Sequence, residues 1–131
     1  MAENETAALA LAIGKKLVAL CQEGRDLDAV NTLYDEKIVS IEASGSDDMP
    51  ARQEGIETIL AKHAWWTDNN EVHSSTAEGP FCGDREDQFA VRFEMDLTPK
   101  ATGERVQFAE IALYTTAKGK IVQEEFMSQA S

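Results

Sequence analysis

The sequence predicts an α+β domain in which helices at the front pack against a mostly antiparallel sheet formed by the strands behind them. Two observations predict this class. Apolar residues of the first half recur at helical spacing, whereas the second half contains four stretches with strand character, one of which alternates cleanly. The chain has 131 residues and no break in composition, so residues 1–131 are predicted to form a single domain.

Three helices are predicted from the spacing of apolar residues. The first covers residues 6–23, and its apolar stripe comprises Leu9, Ile13, Leu17 and Leu20. Asp26 is expected to cap a second helix that runs through Tyr34. The third helix covers residues 55–66 and has an apolar face of the same kind.

Five strands are predicted, one between the second and third helices and four after the third helix. The stretch "QFAVRFEMD" gives the clearest signal, because large apolar residues alternate with small or charged ones. The five strands cover residues 37–43, 71–78, 88–96, 105–116 and 120–128. An antiparallel sheet in such a domain has one face against helices, and its other face meets water or a partner.

The composition argues against several classes of partner. The net charge of −12, from 24 acidic and 12 basic residues, makes the surface repel nucleic acid and anionic membranes. Neither a metal nor a cofactor is predicted, because the two cysteines and two histidines form no spaced ligand set and no Gly-rich phosphate loop is present. Lys15 and Lys16 interrupt the N-terminal apolar run, and no basic region precedes it, which predicts a cytoplasmic protein.

Four stretches of the chain occur in the order of a known family. They are "LYDEKIVSIEA", "QEGIETILAKHAWW", "EVHSSTAEGPF" and "FAVRFEMDLTPKATGERVQFAEIALYTTAKGKIVQEEF". Together they resemble the SnoaL-like group of the nuclear-transport-factor-2-like superfamily, and the resemblance covers nearly the whole chain after residue 10. The closing "GKIV" strand is typical of this fold, but the pattern does not specify a reaction.

The resemblance implies a cone-shaped, curved sheet around a cavity that lies against the N-terminal helices. The superfamily includes ketosteroid isomerase, polyketide cyclases, epoxide hydrolases and dehydratases, together with members that only bind or dimerise. It therefore implies a small hydrophobic ligand in the cone cavity. It also implies a homodimer through the outer sheet face, which agrees with the apolar rows that alternation places on both faces of the sheet.

Glu42, at the end of the first predicted strand, is the candidate for a catalytic base. Alternation places it on the face of Ile38 and Ser40. The opposite face is more apolar and resembles core, so the pattern alone predicts a solvated Glu42. The resemblance implies a pocket position instead, because isomerase-like relatives have their catalytic acid at the end of this strand. Burial in an apolar pocket raises the pKa of a carboxyl group, as proton abstraction beside a carbonyl requires.

Glu110 is the second candidate acid. It lies within "VQFAEIALY" on the face shared by Phe108 and Tyr114. A carboxylate among apolar strand residues is costly unless it is satisfied or functional. The resemblance implies an acid close to this position that stays protonated and donates to a developing oxyanion. The alternative is a charge on the outer sheet face that pairs with an arginine.

In the isomerase that this chain resembles, a tyrosine on the first helix donates to the oxyanion. Residues 6–23 of this chain contain no tyrosine. Tyr34 or Tyr114 would have to take this role. Near the C-terminus, one of Glu124 and Glu125 faces the cavity by alternation, and Glu125 is included as a candidate. The predicted substrate-binding set comprises Tyr34, Trp65, Trp66, His73, Phe108, Tyr114 and Glu125.

Two histidines and two tryptophans complete the candidates. His63 is expected to point inward from the third helix, either as a core histidine or as an acid–base group. Trp66 is expected to pack in the core, and Trp65 to line the pocket mouth or a dimer contact. His73 lies on a strand and faces either the surface or the pocket.

Two functions are compatible with these patterns. The first is a cofactor-free isomerase, cyclase or dehydratase that acts by proton transfer on a small hydrophobic carbonyl compound. Glu42 would be its base, Glu110 its second acid, and His63 would assist. The second is a non-catalytic ligand-binding or dimerisation module of the same fold. The first hypothesis requires that Glu42 and Glu110 project into one cavity.

Overall fold

Helices and strands divide the chain as the sequence predicts. The structure is a computed structural model that describes residues 2–128, with side chains from residue 5 onward. The three helices are α1 (Ala2–Gln22), α2 (Asp26–Leu33) and α3 (Ile56–Asn69). The strands are β1 (Tyr34–Ile41), β2 (Arg52–Glu54), β3 (Asn70–Phe81), β4 (Gln88–Pro99), β5 (Val106–Ala117) and β6 (Lys120–Ser128).

The six strands form one curved sheet in the order β2-β1-β6-β5-β4-β3, and the sheet does not close. The β1–β6 pair is parallel, whereas all other neighbours are antiparallel. This confirms the predicted α+β class with a mostly antiparallel sheet. Register shifts interrupt several pairs, for example between Thr115 and Thr116, and such irregularities increase the bend and twist of a strand.

Three local predictions differ from the structure. The second helix was predicted to run through Tyr34, but α2 ends at Leu33 and Tyr34 begins β1. The three-residue strand β2 was not predicted, because its sequence "RQE" is polar throughout and too short to show alternation. Asp26 is not the cap of α2. Arg25 occupies the cap position, and no side chain makes a capping hydrogen bond there. The Asp26 carboxyl group is instead part of the wall of the cavity described below.

The core lies between the helices and the inner face of the sheet, and α1 packs mainly against β3 and β4. The rings of Phe89 and Tyr114 stack with their centroids 5.1 Å apart. Burying a large apolar side chain of this kind contributes roughly 1.5–3 kcal/mol. Gly14 permits a close approach of α1 to the sheet, because a Cβ atom there would lie 2.8 Å from Pro80 Cβ.

The inner face of β1 is the one that the pattern alone assigned to solvent. Ile38 and Ser40 are completely buried, whereas Val39 and Ile41 on the other face are only half-buried. The prediction that Glu42 lies on the solvated face is therefore wrong. The sequence pattern does not identify this face as the inner one, because the polar Ser40 interrupts its apolar residues. The Ser40 hydroxyl is buried because it hydrogen-bonds to Glu124 and Lys62, which come from other elements.

Candidate active-site cavity

The three helices and the inner face of the sheet enclose a cavity of about 610 Å³. Its volume lies within the usual range of small-molecule sites, roughly 300–1,000 Å³. Much of the wall is apolar, with contributions from Leu17, Ile59, Trp66, Phe93, Met95, Phe108 and Phe126. The ionisable groups that the described residues add to this wall, besides tyrosine and cysteine, are Asp26, Glu42, Lys62, His63, Glu110 and Glu124.

Glu124 lines the cavity and is only 3% exposed, and we call the buried part of the wall around it the closed end. Its two oxygens are used separately: the Tyr34 hydroxyl donates to Oε1, and the Ser40 hydroxyl donates to Oε2 at 2.7 Å. Burial raises the pKa of Glu124, while the hydrogen bonds from Tyr34 and Ser40 oppose this shift. Strand order explains the geometry, because β1 and β5 flank β6 and bring Ser40 and Tyr114 opposite Glu124.

Lys62 links this closed end to Glu42. Its Nζ donates to Ser40 Oγ at 2.9 Å and to Glu42 Oε1 at 2.6 Å. Nζ also lies 5.9 Å from the centre of the Phe126 ring. Lys62 reaches the cavity because it follows Ile59 by three residues on α3, and that spacing places both on one helical face. A continuous chain of polar contacts therefore runs from Glu42 through Lys62 and Ser40 to Glu124.

Glu110 projects from β5 into the same cavity, and its carboxyl group has no partner within residues 2–128. It lies opposite Phe93 of β4, and among the described residues no side chain or backbone group pairs with its carboxyl group. Burial raises the pKa of Glu110 to about 7, and the negative charges of Glu42 and Glu124 add to the shift, whereas Lys62 opposes it. Glu42 and Glu110 thus share one cavity and interact electrostatically.

The tyrosines and tryptophans lie in the cavity wall with different exposure. Burial, followed by the charge of Glu124, raises the pKa of both Tyr34 and Tyr114. Trp66 is half-buried in the wall, so the prediction that it packs in the core is wrong. Trp65 lines the cavity and is 51% exposed, as expected of a residue at the mouth.

A further group of side chains lies where α1, α2 and α3 meet the cavity. His63 projects from α3 into the wall, and its charge opposes a burial-driven rise in the pKa of Asp26. Burial, followed by the proximity of Asp26, raises the pKa of Cys21 to about 12. Such a thiol stays protonated at neutral pH and is a poor nucleophile.

Two predicted substrate-binding residues are not brought to the cavity. His73 is exposed on β3 and shares a hydrogen bond of 2.7 Å with Thr98 Oγ1. Glu125 lies opposite Leu113 in the β5–β6 register and alternates with Glu124, so it belongs to the outer face of the sheet. The structure thus assigns the inward position to Glu124.

The sequence-based set lacked Lys62, Ser40 and Glu124, which form the hydrogen-bonded centre of the cavity. The spacing of Lys62 from Ile59 was a usable signal, because it puts a lysine on the apolar face of a helix. Ser40 shares a strand face with Ile38 and Glu42, so it could have been selected together with Glu42. Glu124 could not be separated from Glu125 without knowing the register of the last strand.

No helix within residues 2–128 is long and apolar enough to cross a membrane. Over the part of the chain that the structure describes, no group of three or more His, Cys, Asp or Glu side chains is arranged to hold a metal ion.

Comparison with known families agrees with this fold and cavity. The sequence profile of the SnoaL-like domain matches residues 10–128, and the chain belongs to this family. A solved structure from Mesorhizobium loti, provisionally named a SnoaL-like polyketide cyclase and also labelled a carbohydrate phosphatase, is 41% identical with a TM-score of 0.82. That similarity covers 88% of this chain and 95% of the other. No functionally curated protein matches significantly.

More distant solved structures share the fold. A provisionally named isomerase from Bacillus subtilis is 23% identical, with a TM-score of 0.70 over 98% of this chain and 90% of that one. An LEH-like epoxide hydrolase from M. tuberculosis is 14% identical, with a TM-score of 0.65 over 93% of this chain and 84% of that one. At these identities the similarity demonstrates a common fold and leaves the reaction open.

Proposed function

We propose that this chain is a cofactor-free enzyme that isomerises, cyclises or dehydrates a small hydrophobic carbonyl compound by proton transfer. The observation that carries the proposal is the Glu110 carboxyl group, which lies in a largely apolar cavity with no partner among the described residues. Burial there raises the pKa of Glu110 to about 7. An acid that titrates near neutral pH both gives and takes protons efficiently there. The names of the related structures, which include a cyclase and an isomerase, support the same reaction class.

The two cavity carboxyl groups have different surroundings, and this suggests a division of roles. Glu42 forms an ion pair with Lys62, with Oε1 2.6 Å from Nζ, and we assign it as the base that removes a proton from the carbon next to the carbonyl. The electrons of that C–H bond then move toward the carbonyl oxygen. Glu110, protonated in a large fraction of molecules at neutral pH, donates to that oxygen or returns a proton to carbon.

The composition of the cavity wall also favours neutral ligands over anions. Four carboxyl groups lie in the described part of the wall against one ammonium group and the His63 imidazole, so acidic groups outnumber basic ones and a phosphate would meet net repulsion. We therefore do not extend the carbohydrate phosphatase label of the related structure to this chain. A ligand with an apolar body and a single carbonyl group matches the wall better, because the aromatic side chains bury the body.

Hydrogen–deuterium exchange tests the proposed chemistry without knowledge of the substrate. The protein is incubated in D2O with 1-tetralone, an apolar ketone, and NMR follows loss of the protons next to its carbonyl. Wild type is expected to accelerate exchange, and Glu42→Gln to lose about 100-fold or more of that acceleration. Glu104→Gln is the matched control, because Glu104 lies in an exposed loop outside the cavity wall. Exchange in wild type no faster than in buffer contradicts the proposal.

The second candidate is a non-catalytic ligand-binding module. It is favoured by one observation: Glu42 and Glu124 are both engaged by protein partners, as in a cavity built only for binding. Thermal-shift screening with steroid-like and polyketide-like ligands separates the two. A binding module would be stabilised by a ligand while its carbonyl-adjacent protons exchange at the rate in buffer. A ligand response that is identical in wild type and Glu110→Gln would remove Glu110 from the site in either case.

We further propose that the chain forms a homodimer through the outer face of the sheet. Ile111 and Met127 lie opposite each other in the β5–β6 register, on this face, and are 46% and 45% exposed. Adjacent exposed apolar side chains of this kind favour a protein interface. Ile111→Lys is expected to convert a dimer to a monomer in light scattering at micromolar concentration. Leu27→Lys, at a similarly exposed residue on α2, is the control, and a monomeric wild type contradicts the proposal.

A further inference from the structure

Lys62 is the sole lysine or arginine in the described part of the cavity wall. Its ammonium group donates two hydrogen bonds to described residues. An ammonium has three N–H donors. One is taken by Ser40 Oγ at 2.9 Å and one by Glu42 Oε1 at 2.6 Å, so within residues 2–128 one has no hydrogen-bond acceptor. Because the side chain is only 18% exposed and lines the cavity, this remaining N–H is available to a ligand bound there.

Buried hydrogen bonds on the protein side hold the ammonium group of Lys62 in place. Ser40 accepts from Lys62 and donates to Glu124, and Glu124 accepts a further hydrogen bond from Tyr34. Ser40 and Glu124 are both buried, so this chain of contacts is shielded from competing water. A donor fixed by such a network interacts with developing charge without first having to reorganise. Ser40, Glu124 and Tyr34 therefore act on a ligand through Lys62, as positioning residues.

We propose that Lys62 is a catalytic residue that donates its third N–H to the carbonyl oxygen of the substrate and stabilises the negative charge that develops there. This inference rests on the proposed function and deepens it. It specifies the substrate class as an apolar ketone or related carbonyl compound whose oxygen faces Lys62 and whose acidic C–H faces Glu42. Neither the sequence patterns nor the family resemblance assigned a role to this residue.

The position of Lys62 between base and oxygen has a direct electrostatic consequence. When Glu42 removes a proton from carbon, the negative charge leaves Glu42 and appears on the carbonyl oxygen. Both sites are adjacent to the same ammonium group, so the charge stays paired throughout the transfer. The interaction with the oxygen strengthens as the reaction proceeds, which is the condition for lowering the barrier. Returning the proton from Glu42 to a different carbon completes an isomerisation with every atom accounted for.

A matched ligand pair measures this contact directly. 1-Tetralone and tetralin share one skeleton and differ in the carbonyl oxygen. Their affinities are measured through the fluorescence of Trp65 and Trp66, which line the cavity. The solution is held at about pH 8.5, above the pKa of Glu110 of about 7, so that Glu110 is mostly ionised and does not donate. The charged groups that act on Glu110 are Glu42, Glu124 and Lys62. They are the same in both measurements, because only the ligand differs.

Wild type is expected to bind the ketone at least about tenfold more tightly than the hydrocarbon, as for a hydrogen bond to a charged group. Lys62→Met should abolish that preference while leaving tetralin affinity unchanged, which a merely structural role of Lys62 would not do. Lys100→Met, which removes an exposed lysine outside the cavity wall, should behave as wild type. A ketone preference that survives Lys62→Met overturns the inference.

Two further outcomes are decisive. Equal binding of both ligands by wild type overturns this inference alone, whereas failure of both to bind overturns the proposed function and the inference with it. If Lys62→Met does not fold, the infrared carbonyl stretch of 13C-labelled 1-tetralone bound to wild type and to Glu42→Gln replaces it. Both spectra are taken at about pH 8.5, where Glu110 is mostly ionised and does not donate. A shift to lower frequency in both proteins supports donation from Lys62, and an unshifted band in either protein overturns it.

Discussion

Glu110 and Glu124 project from neighbouring strands into one cavity, yet their surroundings differ completely. Glu124 is almost fully buried, and each of its oxygens accepts a hydrogen bond from a hydroxyl group. Glu110 is half-buried and has no partner among the described residues. Burial raises the pKa of both carboxyl groups, but only at Glu124 do hydrogen bonds from Tyr34 and Ser40 oppose it.

This difference separates a structural carboxyl group from one that is available for chemistry. A buried acid whose lone pairs are satisfied holds its neighbours in place, and replacing it leaves several groups without partners. A buried acid without partners destabilises the fold when it ionises, and such groups cluster at functional sites. The presence or absence of hydrogen-bond partners, rather than burial alone, therefore distinguishes the carboxyl group to which we assign proton transfer.

The largest expected effect is on stability at Glu124. Glu124→Ala leaves the buried hydroxyl groups of Tyr34 and Ser40 without their acceptor, so we expect unfolding free energy to fall by about 3 kcal/mol. Glu110→Ala removes no hydrogen bond to any residue that the structure describes, and should cost less than about 1 kcal/mol. Urea unfolding of the two variants and wild type at neutral pH measures both values. Equal losses of unfolding free energy would show that hydrogen-bond partners do not distinguish the two carboxyl groups.

The next effect is a pH dependence specific to Glu110. Its pKa is about 7 in the folded chain, against an ordinary value of 4.5. Between these values the folded state binds more protons than the unfolded state, so stability is lost as pH rises from 4.5 to 7 and is constant above that range. Allowing for the part of the group that water reaches, the loss is about 1–2 kcal/mol.

Glu110→Gln cannot ionise and should lack this decline. The difference in unfolding free energy between Glu110→Gln and wild type should therefore grow in favour of the variant across that pH range. Urea unfolding at a series of pH values gives the difference curve, and Glu104→Gln serves as the exposed control. A flat difference curve would place the pKa of Glu110 close to its ordinary value and remove the main support for its proposed chemistry.

The sequence was sufficient for the fold but only for part of the cavity. Periodicity located the three helices and five of the six strands, because long apolar patterns have a single compatible secondary structure. The strand β2 was missed because its pairing with β1 depends on backbone groups rather than on side-chain pattern. Which face of β1 is inner depends on where a curved sheet meets α3, and alternation alone carries no such information.

The residues around Lys62 illustrate the same limit. Ser40, Lys62 and Glu124 are far apart in sequence and come from three different elements. Each alone resembles an ordinary polar residue, and only the parallel pairing of β1 with β6 brings Ser40 opposite Glu124. Resemblance to a family drew attention to Glu42 and Glu110, but the ion pair of Glu42 and the isolation of Glu110 follow from tertiary contacts.

The smallest expected effect is at the mouth of the cavity, where Gly45 forms part of the wall. A Cβ atom at Gly45 would lie 2.9 Å from Ala51 Cα and closer still to Ala51 N, so Gly45→Ala must displace backbone. The surrounding loop is exposed, and we expect less than about 1 kcal/mol loss of stability but a several-fold change in the Kd for 1-tetralone. Thermal unfolding measures the stability and fluorescence titration measures the Kd. Gly83→Ala is the control, because a Cβ atom there meets nothing.

An unchanged Kd for 1-tetralone, or a stability loss as large as that of Glu124→Ala, would contradict the expectation that substitutions at the mouth and at the closed end have different effects. The expected result is a changed Kd with little loss of stability. It would extend the contrast between Glu110 and Glu124 from two side chains to the two ends of the cavity.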